Sequence, residues 1–188
     1  MTDYTLLDTA TAVEKIREGQ VIAYPTEAVF GLGCDPGNEL AVRHLLSIKG
    51  RHESAGLVLI ASDFQQLRHW VADVDPDLLD RAMQSWPGPV TWLFPRAENV
   101  PDYVAGNHPT IAVRLTAHEP SRALCKAFGS PLISTSANHT SAEPARSAKE
   151  VDHYFGDRIA GIVEGQLGGG DKPSEIRDLK TGKIFRHG

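Results

Sequence analysis

Residues 21–51 constrain the fold more than any other stretch of the chain. V-I-A-Y-P-T-E-A-V-F-G-L-G-C-D runs into a helical pattern and then into S-I-K-G-R. Val21–Tyr24 reads as a buried strand, because its residues are apolar or β-forming without interruption. Pro25 closes that strand, since proline has no N–H to give to a ladder. Thr26 and Glu27 open a polar loop, in which Gly31 and Gly33 permit unusual backbone shapes and the close approach of a ligand. Glu39–Ile48 then carries Leu40, Val42, Leu45, Leu46 and Ile48, a short helix capped by Asn38. Its C-terminal end delivers Lys49, Gly50 and Arg51. A strand, a polar loop, a helix and a cationic pair within about thirty residues point to an α/β architecture.

The rest of the chain continues the alternation. Asp8 or Thr9 caps a first helix that Gly19 ends. Leu57–Ile60 is a second apolar strand, and Ser62 caps a helix to about Leu67. A helix follows from D-P-D-L-L-D to about Met83, with Pro76 in its first turn. Strands are expected at Val90–Phe94, Thr110–Leu115, Pro131–Ser134 and Ile159–Val163, with short closing strands at Ser174–Arg177 and Lys183–Arg186. Helices are expected at Glu119–Phe128, ended by Gly129, and from Ser147 to about Tyr154. The expected product is a single domain over residues 1–188, with a twisted mixed sheet flanked by helices. Residues 99–110 and 138–146 are its longest irregular stretches, and such loops are often functional.

Composition narrows the function classes. With 188 residues, a formal net charge of −5, 41% hydrophobic and 23% charged residues, this is an ordinary globular chain. It does not coat nucleic acid by bulk charge, so an anionic ligand needs a local cationic cleft. Cys34 and Cys125 lack C-x-x-C spacing and read as reduced, cytosolic thiols. No apolar run has membrane-spanning length, and the polar start M-T-D-Y-T reads as neither signal nor transit peptide.

Several patterns bear on chemistry. The glycines at 31 and 33 do not extend to G-x-G-x-x-G. Gly165–Gly170 has the glycine spacing of a phosphate loop, but Asp171 stands where its lysine belongs, so a flexible surface loop is the expectation. Lys49 and Arg51 suit either a helix C-terminus or a phosphate clamp. Ser134-Thr135-Ser136-Ala137-Asn138 is either a turn rich in local hydrogen bonds or a strand-end binding site. Arg114, in an apolar strand, needs a carboxylate from the protein or from a ligand. The histidines lack H-x-x-x-H spacing, there is no G-x-S-x-G elbow, and Trp70, Trp86 and Trp92 read as core.

Taken in order, Y-P-T-E-A-V-F-G-L-G, K-G-R, P-G-P-V-T, A-V-R, S-T-S-A-N and P-S-E-I-R-D resemble the short bacterial type of the YrdC family over nearly the whole chain. That resemblance implies a YrdC-like mixed α/β fold with a concave cationic cavity. It implies an L-threonylcarbamoyladenylate synthase, a nucleotidyltransferase that makes threonylcarbamoyl-AMP and pyrophosphate from L-threonine, bicarbonate and ATP, with Mg2+ accompanying the ATP. TsaB-, TsaD- and TsaE-type proteins would then modify tRNA beside the anticodon, with tRNA met directly or through those partners. By position, Lys49 and Arg51 would contact the ATP phosphates and the forming adenylate. Thr110, Ser134, Ser136, Asn138 and Arg186 would join them around the nucleotide. Thr26, Arg114 and Ser174 would hold threonine, with Arg114 on its carboxylate. Glu27 is a candidate base only through its proximity to Thr26. The chain departs from the common pattern at Ala28, Phe30, His52 and His139-Thr140-Ser141. Two competing expectations are a non-enzymatic RNA-binding module and a carbamoyl-adenylate-forming relative from hydrogenase maturation. The missing paired C-x-x-C motifs weigh against the second.

Overall fold

A computed structural model describes residues 4–188; the first three residues of the polar start lie outside it. The order of elements is β1 (Leu6–Leu7), α1 (Thr9–Arg17), β2 (Ile22–Pro25), β3 (Phe30–Gly33), α2 (Glu39–Lys49), β4 (Val58–Ala61), α3 (Pro76–Met83), β5 (Val90–Pro95), α4 (Asp102–Ala105), β6 (Thr110–Leu115), α5 (Glu119–Phe128), β7 (Leu132–Ser136), α6 (Ala148–Phe155), β8 (Ile162–Val163), β9 (Glu175–Asp178) and β10 (Ile184–Arg186). The strands form one mixed sheet in the order β1-β8-β2-β3-β7-β4-β6-β5-β9-β10. β4 runs parallel to β6 and antiparallel to β7, so apolar runs and alternating strands coexist in one sheet.

Local chemistry sets the element ends. Asp8, Asn38 and Ser147 accept backbone N–H groups at the starts of α1, α2 and α6, and Ser147 forms a full capping box with Glu150. Gly50 and Gly129 end α2 and α5 in the left-handed conformation. At residue 62 the expectation fails. Asp63, not Ser62, caps a single 3-10 turn at Phe64–Leu67, because its carboxylate accepts from Gln65 N and Gln66 N at 2.9 and 3.3 Å. α4 lies within the stretch expected to be irregular.

The loop expected after Pro25 is also corrected. Phe30–Gly33 is a strand, paired antiparallel with β2 from Ile22↔Gly33 to Pro25↔Phe30. Thr26 closes the turn between them, its N and Oγ1 both donating to Val29 O at 3.1 and 2.6 Å. Neither Gly31 nor Gly33 has a positive φ. Gly33 instead makes room for a ring and a carbonyl. A Cβ there would lie 2.6 Å from Tyr24 Cε1 and 2.5 Å from Ile133 O. The Tyr24 hydroxyl, fully buried, donates to that same carbonyl at 3.1 Å.

Alternation divides the core. Ile22, Tyr24, Ile60 and Leu132 pack on one face with α1 and α5. Ala23, Leu59, Ala61, Val113 and Ile133 pack on the other with α2 and the apolar residues of the loops. Trp86 and Trp92 are core as expected, and Trp70 packs at its edge. On the α1–α5 face the strands flanking β4 turn polar near its start, where Val58 pairs with Ser134 and Ile60 with Arg114.

Candidate active site

A cavity of about 510 Å3 opens over that polar end of the sheet. Its lining includes Val58, Ser134, Ser136, Gly31 and Arg114 from the strands, together with Thr26 and Glu27 from the β2–β3 turn. Further lining comes from Glu143, Pro144, Arg146, residues 171–174 and Arg186. Five cationic side chains (Arg51, Arg114, Arg146, Lys172 and Arg186) face three carboxylates, Glu27, Glu143 and Asp171.

Three arginines are fixed by the protein itself. Gly50 turns the chain left-handed at the end of α2 and directs Arg51 into the cavity wall, where its guanidinium donates to Gly56 O at 2.8 Å. Arg186, on β10, donates to Ser174 O at 2.7 and 3.0 Å and to Ser174 Oγ at 3.2 Å. Arg114, buried on β6, pairs with Glu27 Oε1 at 2.7 Å, and Thr116 Oγ1 donates to the same oxygen at 3.0 Å. The partner of Arg114 is thus a protein carboxylate. Burial raises the Glu27 carboxyl, but the charge and hydrogen bond of Arg114 outweigh it, so its pKa is lowered. A carboxylate held ionised in this way is a poor proton acceptor. Burial lowers the Arg186 pKa, and the neighbouring Arg114 and Arg51 charges add to this. The three guanidiniums therefore share one field, which an anion between them would relieve.

Lys49 departs from expectation. It is 4% exposed and does not line the cavity. Its ammonium donates to Ser136 O at 2.5 Å, Asn138 O at 3.0 Å and Asn138 Oδ1 at 3.0 Å. Three protons meet four oxygens, Ser136 Oγ at 3.5 Å being the fourth, so the donors expected on a phosphate are spent on the strand end. Burial first, and then the Arg51 charge, lower its pKa to about 8. Asn138 also lies behind the wall, where its Oδ1 accepts from Ser136 Oγ at 2.6 Å and its Nδ2 donates to Ala142 O at 2.6 Å. Thr110 stands on the same face of β6 as Arg114 but does not reach the lining. Thr26, Arg51, Arg114, Ser134, Ser136, Ser174 and Arg186 do line it.

The glycine-rich segment is a further correction. Gly168 N and Gly170 N donate to Thr26 O and Glu27 O at 3.1 and 2.8 Å, and His118 Nε2 meets Gln166 O at 3.0 Å. The segment is pinned to the β2–β3 turn rather than loose on the surface, and it brings Asp171 and Lys172 to the cavity. At 168 a Cβ would approach Glu27 Cα to 3.1 Å, a tighter approach than ordinary contact. Sequence reasoning missed Arg146, Lys172, Glu143 and Asp171. The available signal was that Glu143 and Arg146 fall in the irregular stretch at 138–146, while Asp171 and Lys172 directly follow the glycines.

The family model described as Sua5/YciO/YrdC, telomere recombination, matches residues 14–188. The chain belongs to the Sua5/YciO/YrdC family. Curated members named threonylcarbamoyl-AMP synthase are similar to it at full length. That of Halorhodospira halophila is 49% identical, with 93% of this chain and 92% of the relative covered. That of Coxiella burnetii is 47% identical over 99% of this chain and 100% of the relative. Among solved members, P. abyssi Sua5 complexed with L-threonine superposes with a TM-score of 0.88 at 30% identity over 96% of this chain. The chain spans only 56% of that Sua5. E. coli YciO superposes at 0.83 with 26% identity, covering 97% of this chain and 93% of its own. Among the described residues, no helix is long and apolar enough to cross a membrane.

Proposed function

We propose that this protein is a cytoplasmic nucleotidyltransferase that joins L-threonine, bicarbonate and ATP into threonylcarbamoyl-AMP, releasing pyrophosphate. One observation carries the reading. A cavity of ligand size, with Arg51, Arg114 and Arg186 each fixed by the protein, occurs in a chain nearly half identical, end to end, to relatives that bear this name.

The chemistry explains the arginines. The lone pair of threonine's neutral amine forms the N–C bond to carbon dioxide, released from bicarbonate with loss of hydroxide, and gives a carbamate as the nitrogen sheds a proton that joins that hydroxide as water. A carbamate oxygen then bonds the α-phosphorus. The bond from that phosphorus to the bridging oxygen breaks, and pyrophosphate leaves with the electron pair. Both reactants are anions, so their repulsion is the barrier to remove. Guanidiniums anchored to Gly56 O, Glu27 and Ser174 O before any ligand arrives lower it without reorganising. Holding the two reactants in line is worth a further several kcal/mol, up to about 7–11 in favourable cases. Threonine's carboxylate would take the cavity edge of Arg114, beside Thr26. The triphosphate would lie between Arg51 and Arg186, along the Ser134–Ser136 edge that Lys49 and Asn138 support from behind. Thr110 has no direct part in this arrangement.

Magnesium would come as the ATP complex and neutralise part of the triphosphate. Among the described residues no group of three or more histidine, cysteine or acidic side chains could hold a metal. The adenylate would pass to TsaB-, TsaD- and TsaE-type proteins for transfer to tRNA, whose phosphates Arg146 and Lys172 could face. The direct test is incubation with ATP, threonine and bicarbonate. Pyrophosphate released only when all three are present, together with the mass of threonylcarbamoyl-AMP, is the expected result. ATP turnover indifferent to threonine would overturn the reading.

A further inference from the structure

Thr91, the threonine of P-G-P-V-T, is the second residue of β5 and is fully buried. Trp92 pairs with Val113 and Leu93 with Ala112, so Thr91 occupies the next rung, beside Arg114 on the cavity side of the sheet. Its hydroxyl has one partner among the described residues, Ser174 Oγ at 2.9 Å. A buried hydroxyl with a single oxygen neighbour is best satisfied by donating to it. Arg186, which can only donate, also directs its NH2 to Ser174 Oγ at 3.2 Å. Two donors then occupy both acceptor sites of one hydroxyl. The proton of Ser174 must point elsewhere, and Ser174 lines the cavity.

We infer that Thr91 is a positioning residue: through Ser174 it fixes a hydroxyl that presents only a donor to the cavity, for an anionic oxygen of the ligand. This rests on the reading under Proposed function and deepens it, because a neutral or donor group at that point would meet a proton instead of a lone pair. The chemical class is a carboxylate or phosphate oxygen. L-Threonine and ATP each carry one, and the experiment separates them.

The test is calorimetric titration of L-threonine and of ATP into the wild-type protein, Thr91→Val, Thr91→Ser and Ser174→Ala, and into the double variant Thr91→Val/Ser174→Ala. Valine keeps the β-branched shape of threonine and removes only the hydroxyl. Thr91→Val is expected to weaken one ligand by about threefold to tenfold, the scale of a single hydrogen bond, and to leave the other unchanged. Weakened threonine assigns the acceptor to the carboxylate; weakened ATP assigns it to a phosphate. Thr91→Ser, which restores a hydroxyl, is expected to bind like wild type, and the double variant no worse than Ser174→Ala. Wild-type binding of both ligands by Thr91→Val overturns the inference. So does equal loss in Thr91→Ser, or a double variant whose losses add, since each would mean that Thr91 acts by packing alone. Failure of the wild-type protein to release pyrophosphate would count against the proposed reaction and leave these binding comparisons standing.

Discussion

Replacing Lys49 by methionine separates a structural lysine from a phosphate ligand. Methionine keeps the apolar stem and deletes the ammonium. Ser136 O, Asn138 O and Asn138 Oδ1 then lose a shared donor in a region where Lys49 itself is 4% exposed. Hydrogen bonds to a charged group contribute about 1.5–3 kcal/mol each, but relief of the buried charge offsets part of three of them. A net loss of about 3 kcal/mol is expected. For a chain of this length, about 2–4 °C per kcal/mol gives a fall in Tm of roughly 6–12 °C. Arg51→Met, which alters a cavity-lining side chain, is expected to keep its Tm within a few degrees and to weaken ATP by roughly tenfold or more.

The pH dependence of the same variant carries the sign. The Lys49 pKa is about 8 in the fold and 10.5 in a free chain. Between those values the unfolded chain binds more protons, so the contribution of Lys49 to stability rises with pH and is smallest below 8. From pH 8 to 9 the rise is about 1 kcal/mol, at 1.36 kcal/mol per unit less the partial protonation near 8. Cys34, Cys125 and Tyr24 act in the opposite direction. Burial raises each of their pKa values, so at higher pH they favour unfolding. The difference between wild type and Lys49→Met cancels them and isolates the lysine. Urea unfolding at pH 7, 8 and 9 should show the gap widening upward. An unchanged Tm together with lost ATP binding would refute the structural role and return Lys49 to the phosphates.

Two further perturbations test other joints of the site. Glu27→Gln leaves Arg114 without its ionic partner and should cost about 2–3 kcal/mol at neutral pH. Because the Glu27 pKa is lowered in the fold, its contribution is present above the unfolded value of 4.5 and disappears as pH falls below it, so wild type and variant should converge in acid; a gap constant from pH 7 to 3 would contradict the pairing. Gly33→Ala should cost about 3 kcal/mol through overpacking, because the new methyl meets the Ile133 carbonyl at 2.5 Å and the Tyr24 ring at 2.6 Å; a wild-type urea midpoint would disprove that packing.

Legibility in the sequence followed the range of the forces. Thr110–Leu115 and Glu119–Phe128 occur at the expected bounds, because strand alternation, Glu119 in the first turn and Gly129 at the end act within a few residues. Phe30–Gly33 was hidden, because two glycines in four residues argue for a loop and their reason, the ring of Tyr24, lies on another strand. The glycine-rich segment failed in the same way: what holds it are Thr26, Glu27 and His118, roughly fifty to a hundred and forty residues away along the chain. Within the site, the residue types were legible and their partners were not. K-G-R shows two cations side by side, yet only the turn at Gly50 sends Lys49 beneath the strand end and Arg51 into the cavity.

The division of labour between those two cations follows from their shapes. An ammonium is a compact charge with three rotatable donors, suited to three oxygens converging at the end of β7. A guanidinium is a rigid plane with five donors, and a single protein partner leaves part of it unused. Arg51 Nε and Arg114 Nε are buried with no hydrogen-bond partner among the described residues. Each orphaned N–H costs about 1–3 kcal/mol, so it is the remaining N–H groups of each plane, not the buried Nε, that are left for an anion in the cavity. A lysine at either position would swing its protons onto nearby carbonyls, as Lys49 does, and leave nothing for a ligand. On this reasoning Arg51→Lys and Arg114→Lys would keep the charge of the cavity and still lose most of its grip on anions.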